Sequence, residues 1–166
     1  MPRPIASDGA CWSNPGHYLG IDPGLSGGLA LLNNIGQVER LDKMPATERD
    51  IWLWFCSLPP GTRAVVEKVA SMPDQGVASS FKFGYGFGGL IMALTAASIP
   101  FVPTTPQKWI KALAIPSKKS SEGKTQWKNR LKAKAQQLYP QSRITLAVSD
   151  ALLIAHYCRG YAKWTL

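Results

Sequence analysis

Ten carboxylates are spread over 166 residues, few enough to weigh singly. Asp8, Glu39, Asp42, Glu48, Asp50, Asp74 and Glu122 lie in polar surroundings that any wet surface explains. Asp22, Glu67 and Asp150 differ, because each abuts an apolar run: residues 19–21, 65–69 and 151–155. A carboxylate held near a core is costly unless it is paired or bound to metal. Asp22 closes one short apolar run and Glu67 sits in another. If those runs are adjacent strands the two acids face each other, and Asp150, in the first turn of the last helix, closes the group. Three converging oxygen ligands without Cys or His suit hard cations such as Mg²⁺ or Mn²⁺. Two such ions about 3.5–4 Å apart activate water and stabilise the leaving oxygen in phosphodiester hydrolysis. Each acid also has a local explanation: Asp22 as a turn acid before Pro23-Gly24, Glu67 as an arginine partner, Asp150 as a helix cap. Taken together the metal reading is ahead; oxygens placed far apart, or a lysine or arginine filling the gap between them, would end it. His156 lies six residues beyond Asp150, on another helix face, and reads as a packed histidine.

The elements that must position these acids are legible in outline. Residues 18–22 form a short strand closed by a Pro-Gly turn, 29–33 a second and 37–44 a third, making an antiparallel meander. Residues 47–50 cap a helix that carries Ile51, Trp52, Trp54, Phe55 and Leu58 and stops at Pro59-Pro60-Gly61. Residues 64–69 are β-branched and read as a buried strand. Residues 72–89 read as a glycine-rich, aromatic loop leading into a helix through 90–94, and 100–103 as a fifth strand. Thr105-Pro106 starts a helix, 115–124 is a polar loop, and 125–139 and 148–162 are helices. This is an α/β domain with a five-stranded mixed sheet: the meander plus two parallel strands, flanked by helices. Residues 1–17 read as a loosely ordered leader and 18–166 as a single domain.

Composition narrows the functions. With 45% hydrophobic residues and 17% charged, the chain has the makings of a core and is neither a disordered tail nor a coiled coil. Nineteen Lys and Arg against ten Asp and Glu leave +9, which suggests a polyanionic partner, nucleic acid first. Cys11, Cys56 and Cys158 form neither a disulfide framework nor a zinc motif. No apolar run approaches the roughly 18 residues of a membrane span, and no signal peptide is expected at the amino terminus. A reducing cytoplasm fits best, in a bacterial or phage-infected cell, with an organelle as the alternative.

Gly20-Ile21-Asp22-Pro23-Gly24 with Ser26-Gly27-Gly28, then Val66-Glu67, then residues 150–155, resembles the RuvC-type Holliday-junction resolvases, members of the RNase H-like (retroviral-integrase) superfamily. The stretch from Glu67-Lys68-Val69 through residues 72–77 and 80–84, with Thr105-Pro106-Gln107-Lys108-Trp109 and Leu138-Tyr139-Pro140, is closest to their phage and chloroplast branch. The resemblance spans residues 18–157. It implies that Asp22, Glu67 and Asp150 are the metal ligands of a Mg²⁺-dependent DNA endonuclease, two ions per active site, with Mn²⁺ as a substitute. It also implies a lysine near the scissile phosphate, and counting back from Pro140 favours Lys128. One departure stands out. The family has a further Asp or His three or four residues before the last acid, where this chain has Ala147 and Leu146; Ser149 is the nearest polar substitute.

Between residues 108 and 134 there are nine cations and one acid, Glu122. Lys108, Lys118, Lys119, Lys124, Lys128 and Arg130 are the candidates for tracking phosphates, against the alternative of a solvated helix face. Phe81, Phe83, Tyr85 and Phe87 alternate with Lys82 and glycines. Aromatic faces stack on unpaired bases, so Phe81 or Phe83 is a candidate wedge at an opened junction, while at least two of the four rings are expected to pack. Gln75, Phe81, Lys82 and Phe83 complete the DNA-contact set. The expected function is junction-selective DNA cleavage on branched DNA, as a homodimer and off the membrane. The alternatives are another RNase H-like nuclease acting on RNA or RNA–DNA hybrids, and a non-catalytic junction-binding protein.

Overall fold

A computed structural model of the chain describes residues 16–68 and 76–161. Its five-stranded sheet has the order β3-β2-β1-β4-β5. The strands are β1 (His17–Asp22), β2 (Gly28–Asn33), β3 (Val38–Lys43), β4 (Thr62–Glu67) and β5 (Phe101–Thr104). β1 pairs antiparallel with β2, and β2 with β3; β1–β4 and β4–β5 are parallel. The expected meander plus two parallel strands is what forms. β1 starts one residue early, at His17, and the rest of the expected leader lies outside the described residues.

The helices are α1 (Glu48–Cys56), α2 (Val77–Ala96), α3 (Pro106–Ala112), α4 (Lys124–Leu138) and α5 (Ser149–Arg159). Central strands are buried on both faces, so their side chains alternate between two cores. Leu19, Ile21, Leu29, Leu31, Ala64 and Val66 point to the side of α1 and α2, among Trp54, Phe55, Leu90 and Leu94. Ala30, Leu32 and Val65 point to the other side, among Trp109, Leu131, Ala135 and the buried residues of α5. Thr47 caps α1: its Oγ1 accepts the Asp50 N–H at 3.1 Å and donates to the Asp50 carboxylate at 2.7 Å. Thr47→Ala removes the capping acceptor and should cost about 1 kcal/mol, read as a fall in Tm of roughly 2–4 °C. An unchanged melt would mean the cap contributes nothing.

Two expectations are corrected. The segment expected as an aromatic loop is helical from Val77 onward. Each glycine in a helix costs roughly 1 kcal/mol against alanine, but Phe87, Leu90, Ile91 and Leu94 pack into the core shared with α1 and carry the helix through Gly84, Gly86, Gly88 and Gly89. Second, α2 is long and apolar enough to cross a membrane by length and composition, where no such stretch was expected. Lys82 and the glycines interrupt it, and Leu90 and Leu94 are spent on the protein core.

Candidate active site

The alternation that fills the two cores also aims the acids. Ile21 and Val66 are register partners and share the α1–α2 side. One residue on, Asp22 and Glu67 therefore turn to the opposite side, toward α3, α4 and α5, at the carboxyl ends of neighbouring parallel strands. The turn after Asp22 is tight: Gly24 has φ +106°, and the Gly27 N–H bonds the Gly24 carbonyl at 3.0 Å. A Cβ on Gly27 would collide with the Asp22 carbonyl.

α5 supplies the third acid because it lies directly on β1. A Cβ on Gly20 would overlap the Ala151 carbonyl and the Ala155 backbone, so only glycine opposite small residues permits the approach. Asp150, 6% exposed in the first turn of α5, is thereby held beside the end of β1. Carboxylates suit that helix end. Ser149, fully buried, lies with Oγ 3.1 Å from Asp150 Oδ1 and 3.2 Å from the Leu146 carbonyl, so it touches the acid directly.

Lys128 of α4 reaches into the group. Its ammonium donates to Asp150 Oδ2 in a short ion pair and stands 3.9 Å from Asp22 Oδ2. Trp109 of α3 donates its indole N–H to Glu67 Oε2 at 2.9 Å. The electrostatics record the crowding. Burial, then the charges of Asp150 and Glu67, push the Asp22 carboxyl up to about 7 even with Lys128 opposing. Burial and Asp150 also raise Glu67, against the Trp109 hydrogen bond and Lys128. Burial works to lower the Lys128 ammonium, but Asp150, Asp22 and Glu67 outweigh it and hold it above the usual lysine range.

The fold thus brings the three acids into mutual electrostatic contact, but not as a ready-made cage. As the side chains stand, no group of three His, Cys, Asp or Glu among the described residues could hold a metal ion. A lysine, Lys128, occupies part of the gap, and a lysine filling it was expected to end the metal reading. One ammonium does not balance three carboxylates, however, and Asp22 remains raised beside it. The donor set is all oxygen and carries surplus negative charge, which fits a hard divalent cation. The Lys128 side chain, 34% exposed on a long flexible stem, is able to give way.

The other expected contacts divide. Lys82, Lys108, Lys118, Lys119 and Lys124 are exposed and available to phosphates. Arg130 is engaged within the chain: its guanidinium bonds Glu122 at 2.7 Å and the Pro116 and Ser117 carbonyls, and stacks over Trp127, fastening the 116–122 loop to α4. Phe81 and Tyr85 stack on the outer face of α2, centroids 6.5 Å apart, with 74% and 65% exposure. Phe83 and Phe87 are half-buried; Phe87 packs into the core, and Phe83 lies beside Gly24 in the turn that follows Asp22. Gln75 falls outside the described residues. His156 is a packing histidine, its Nδ1 2.8 Å from the Tyr139 hydroxyl; burial, Arg159 and Lys134 lower its pKa. The contact at the site that sequence reasoning missed is that of Trp109 with Glu67: the residue was singled out only within the 105–109 stretch, and its buried indole N–H had to find a partner.

No protein-family model matches the sequence, and no curated protein matches it. Comparison of structures finds Thermus thermophilus RuvC, with TM-score 0.62 and 19% identity over 90% of this chain and 96% of that one. It also finds T. thermophilus RuvC in complex with a Holliday junction substrate, with TM-score 0.63 and 18% identity over 89% and 94%. The chain has the RuvC-type, RNase H-like α/β fold.

Proposed function

We propose that the protein is a RuvC-type, structure-selective endonuclease that cuts four-way DNA junctions by metal-dependent phosphodiester hydrolysis. What supports this reading is a RuvC-like sheet that ends β1 and β4 on Asp22 and Glu67, near enough to Asp150 for their charges to act on one another, with Lys128 paired to Asp150. Asp22, Glu67 and Asp150 would hold Mg²⁺, with Mn²⁺ as a substitute, as the inner ligands of two sites. The bound ions would supply a nucleophilic water at neutral pH and neutralise charge on the leaving oxygen.

The chain's own residues do the rest. Ser149 and the α5 helix end orient Asp150. Lys128, a strong cation paired with Asp150, would supply positive charge to the phosphate being cut and would keep its proton. Lys82, Lys108, Lys118, Lys119 and Lys124 bind the phosphates of the arms. Phe81, stacked on Tyr85 on the outer face of α2, offers an aromatic surface for a base unpaired at the crossover. Symmetric incision needs two active sites, so the working form is a homodimer. The cytoplasm remains the proposed compartment, and the phage and chloroplast resolvases the proposed branch.

The test is incision of a synthetic four-way junction with Mg²⁺, Mn²⁺ or EDTA, beside linear duplex and RNA–DNA hybrid of the same sequence. Junction-selective cutting with either metal and none in EDTA is the expected result. Preferential cutting of the hybrid would move the protein to another RNase H-like activity. The Lys128–Asp150 pair and the alanine at 147 favour one second reading, a junction-binding protein without turnover. Tight junction binding with no incision under any metal would establish it.

A further inference from the structure

We infer that Trp109 is a positioning residue for Glu67: its indole N–H holds one oxygen of that carboxylate and restricts where the flexible side chain can place the other. The inference rests on the proposed metal site and deepens it. Glu67 has the longest and most freely rotating side chain of the three acids, and the charge of Asp150 and Asp22 drives it away from them. Something must hold it in. The indole is suited to this because it has a single donor and no acceptor, so the bond has one polarity and cannot be turned round.

Its origin is equally constrained. Trp109 is 1% exposed and belongs to the core beneath α5, with Val65, Ile115 and Leu131. Its helix follows directly on β5, whose Thr104 is the register partner of Glu67, and the Lys68 N–H bonds the Thr104 carbonyl at 2.7 Å. The donor and the acceptor, 42 residues apart in sequence, are therefore carried on one rigid ladder and its succeeding turn. Apolar packing alone calls for no ring nitrogen, and a buried indole N–H without an acceptor would be costly. Outer partners that orient metal ligands typically matter by 10–100-fold in metal affinity or activity.

The test compares wild type, Trp109→Phe, Glu67→Gln and the double variant. Mg²⁺ binding without DNA is measured by calorimetry, junction binding in EDTA by gel shift, and incision across a Mg²⁺ titration. Trp109→Phe should weaken Mg²⁺ binding about tenfold and shift incision to higher Mg²⁺, with junction affinity unchanged. Once Glu67 is Gln, the same change should add nothing further to the loss of Mg²⁺ binding. The wild-type protein supplies a reading that needs no folded Phe variant. Among the indole N–H resonances of its six tryptophans, one should move on adding Mg²⁺, and the same one should move in Glu67→Gln. If the wild type cuts junctions with Mg²⁺ while Trp109→Phe binds and uses the metal equally well, or no indole resonance moves, the positioning role is overturned and the metal site stands. If the wild type neither binds Mg²⁺ nor cuts, the metal site itself is refuted and the role falls with it.

Discussion

If the proposed metal site is right, Asp22→Asn should lower junction cutting by about 10³-fold or more and leave junction binding within about threefold, because the change would remove a ligand charge and no phosphate contact. The same substitution makes the metal-free protein more stable at neutral pH. In the folded chain the Asp22 carboxyl is pushed up to about 7, above its ordinary 3.8. The folded state therefore binds more protons than the unfolded state between those values. The stability this group contributes is fully present below about pH 3.8 and is lost as pH rises through about 7. A shift of that size corresponds to a ceiling of about 4 kcal/mol at 1.36 kcal/mol per unit. Relaxation around Lys128 reduces the expected gain from Asn to about 1–3 kcal/mol, or roughly 3–10 °C in Tm. Melts of both proteins in EDTA should show the difference widening from pH 5 to pH 8. Equal cutting by the two proteins removes Asp22 from the mechanism. A variant no more stable at pH 8 than at pH 5, relative to the parent, removes the electrostatic account of the site.

The second large effect is structural. Gly20→Ala places a methyl group inside the space of the Ala151 carbonyl and the Ala155 backbone. Neither obstacle is a flexible side-chain end, so β1 and α5 must separate, and the three acids separate with them. Overpacking and backbone displacement at such a seam cost about 3 kcal/mol or more, and the expected result is a fall in Tm of roughly 10 °C or an insoluble product, with activity lost in parallel. Gly84→Ala is the matched comparison. That glycine is helical with nothing within 4 Å of an added Cβ, so the change should raise stability by roughly 0.5–1 kcal/mol through helix propensity. A Gly20→Ala protein that melts within a degree or two of the parent would show that α5 does not sit on β1 as described.

The sheet, and the three carboxylates proposed as the site, were legible from local sequence signals. Short continuous apolar runs marked β1, β2 and β4, Pro and Gly their turns, and carboxylates beside apolar runs marked Asp22, Glu67 and Asp150 as unusual. These signals are local, because strand alternation and the cost of a half-buried charge can be read within a few residues. The charge excess pointed to nucleic acid by the same kind of bookkeeping. Tertiary structure decided who touches whom. The aromatic and glycine residues from 81 to 89 are poor in helix signal, and only packing of Phe87, Leu90 and Leu94 against α1 and the sheet makes them one helix. Arg130 bonds Glu122 and two loop carbonyls, partners that its place in a run of cations does not reveal. Lys128 stands between Asp22 and Asp150, and Trp109 grips Glu67, through contacts spanning 22 and 42 residues where a hydrogen bond joins them. Such partners are chosen by which helix faces which strand end. That choice is made by long-range packing of the whole core, and no short window of sequence contains it.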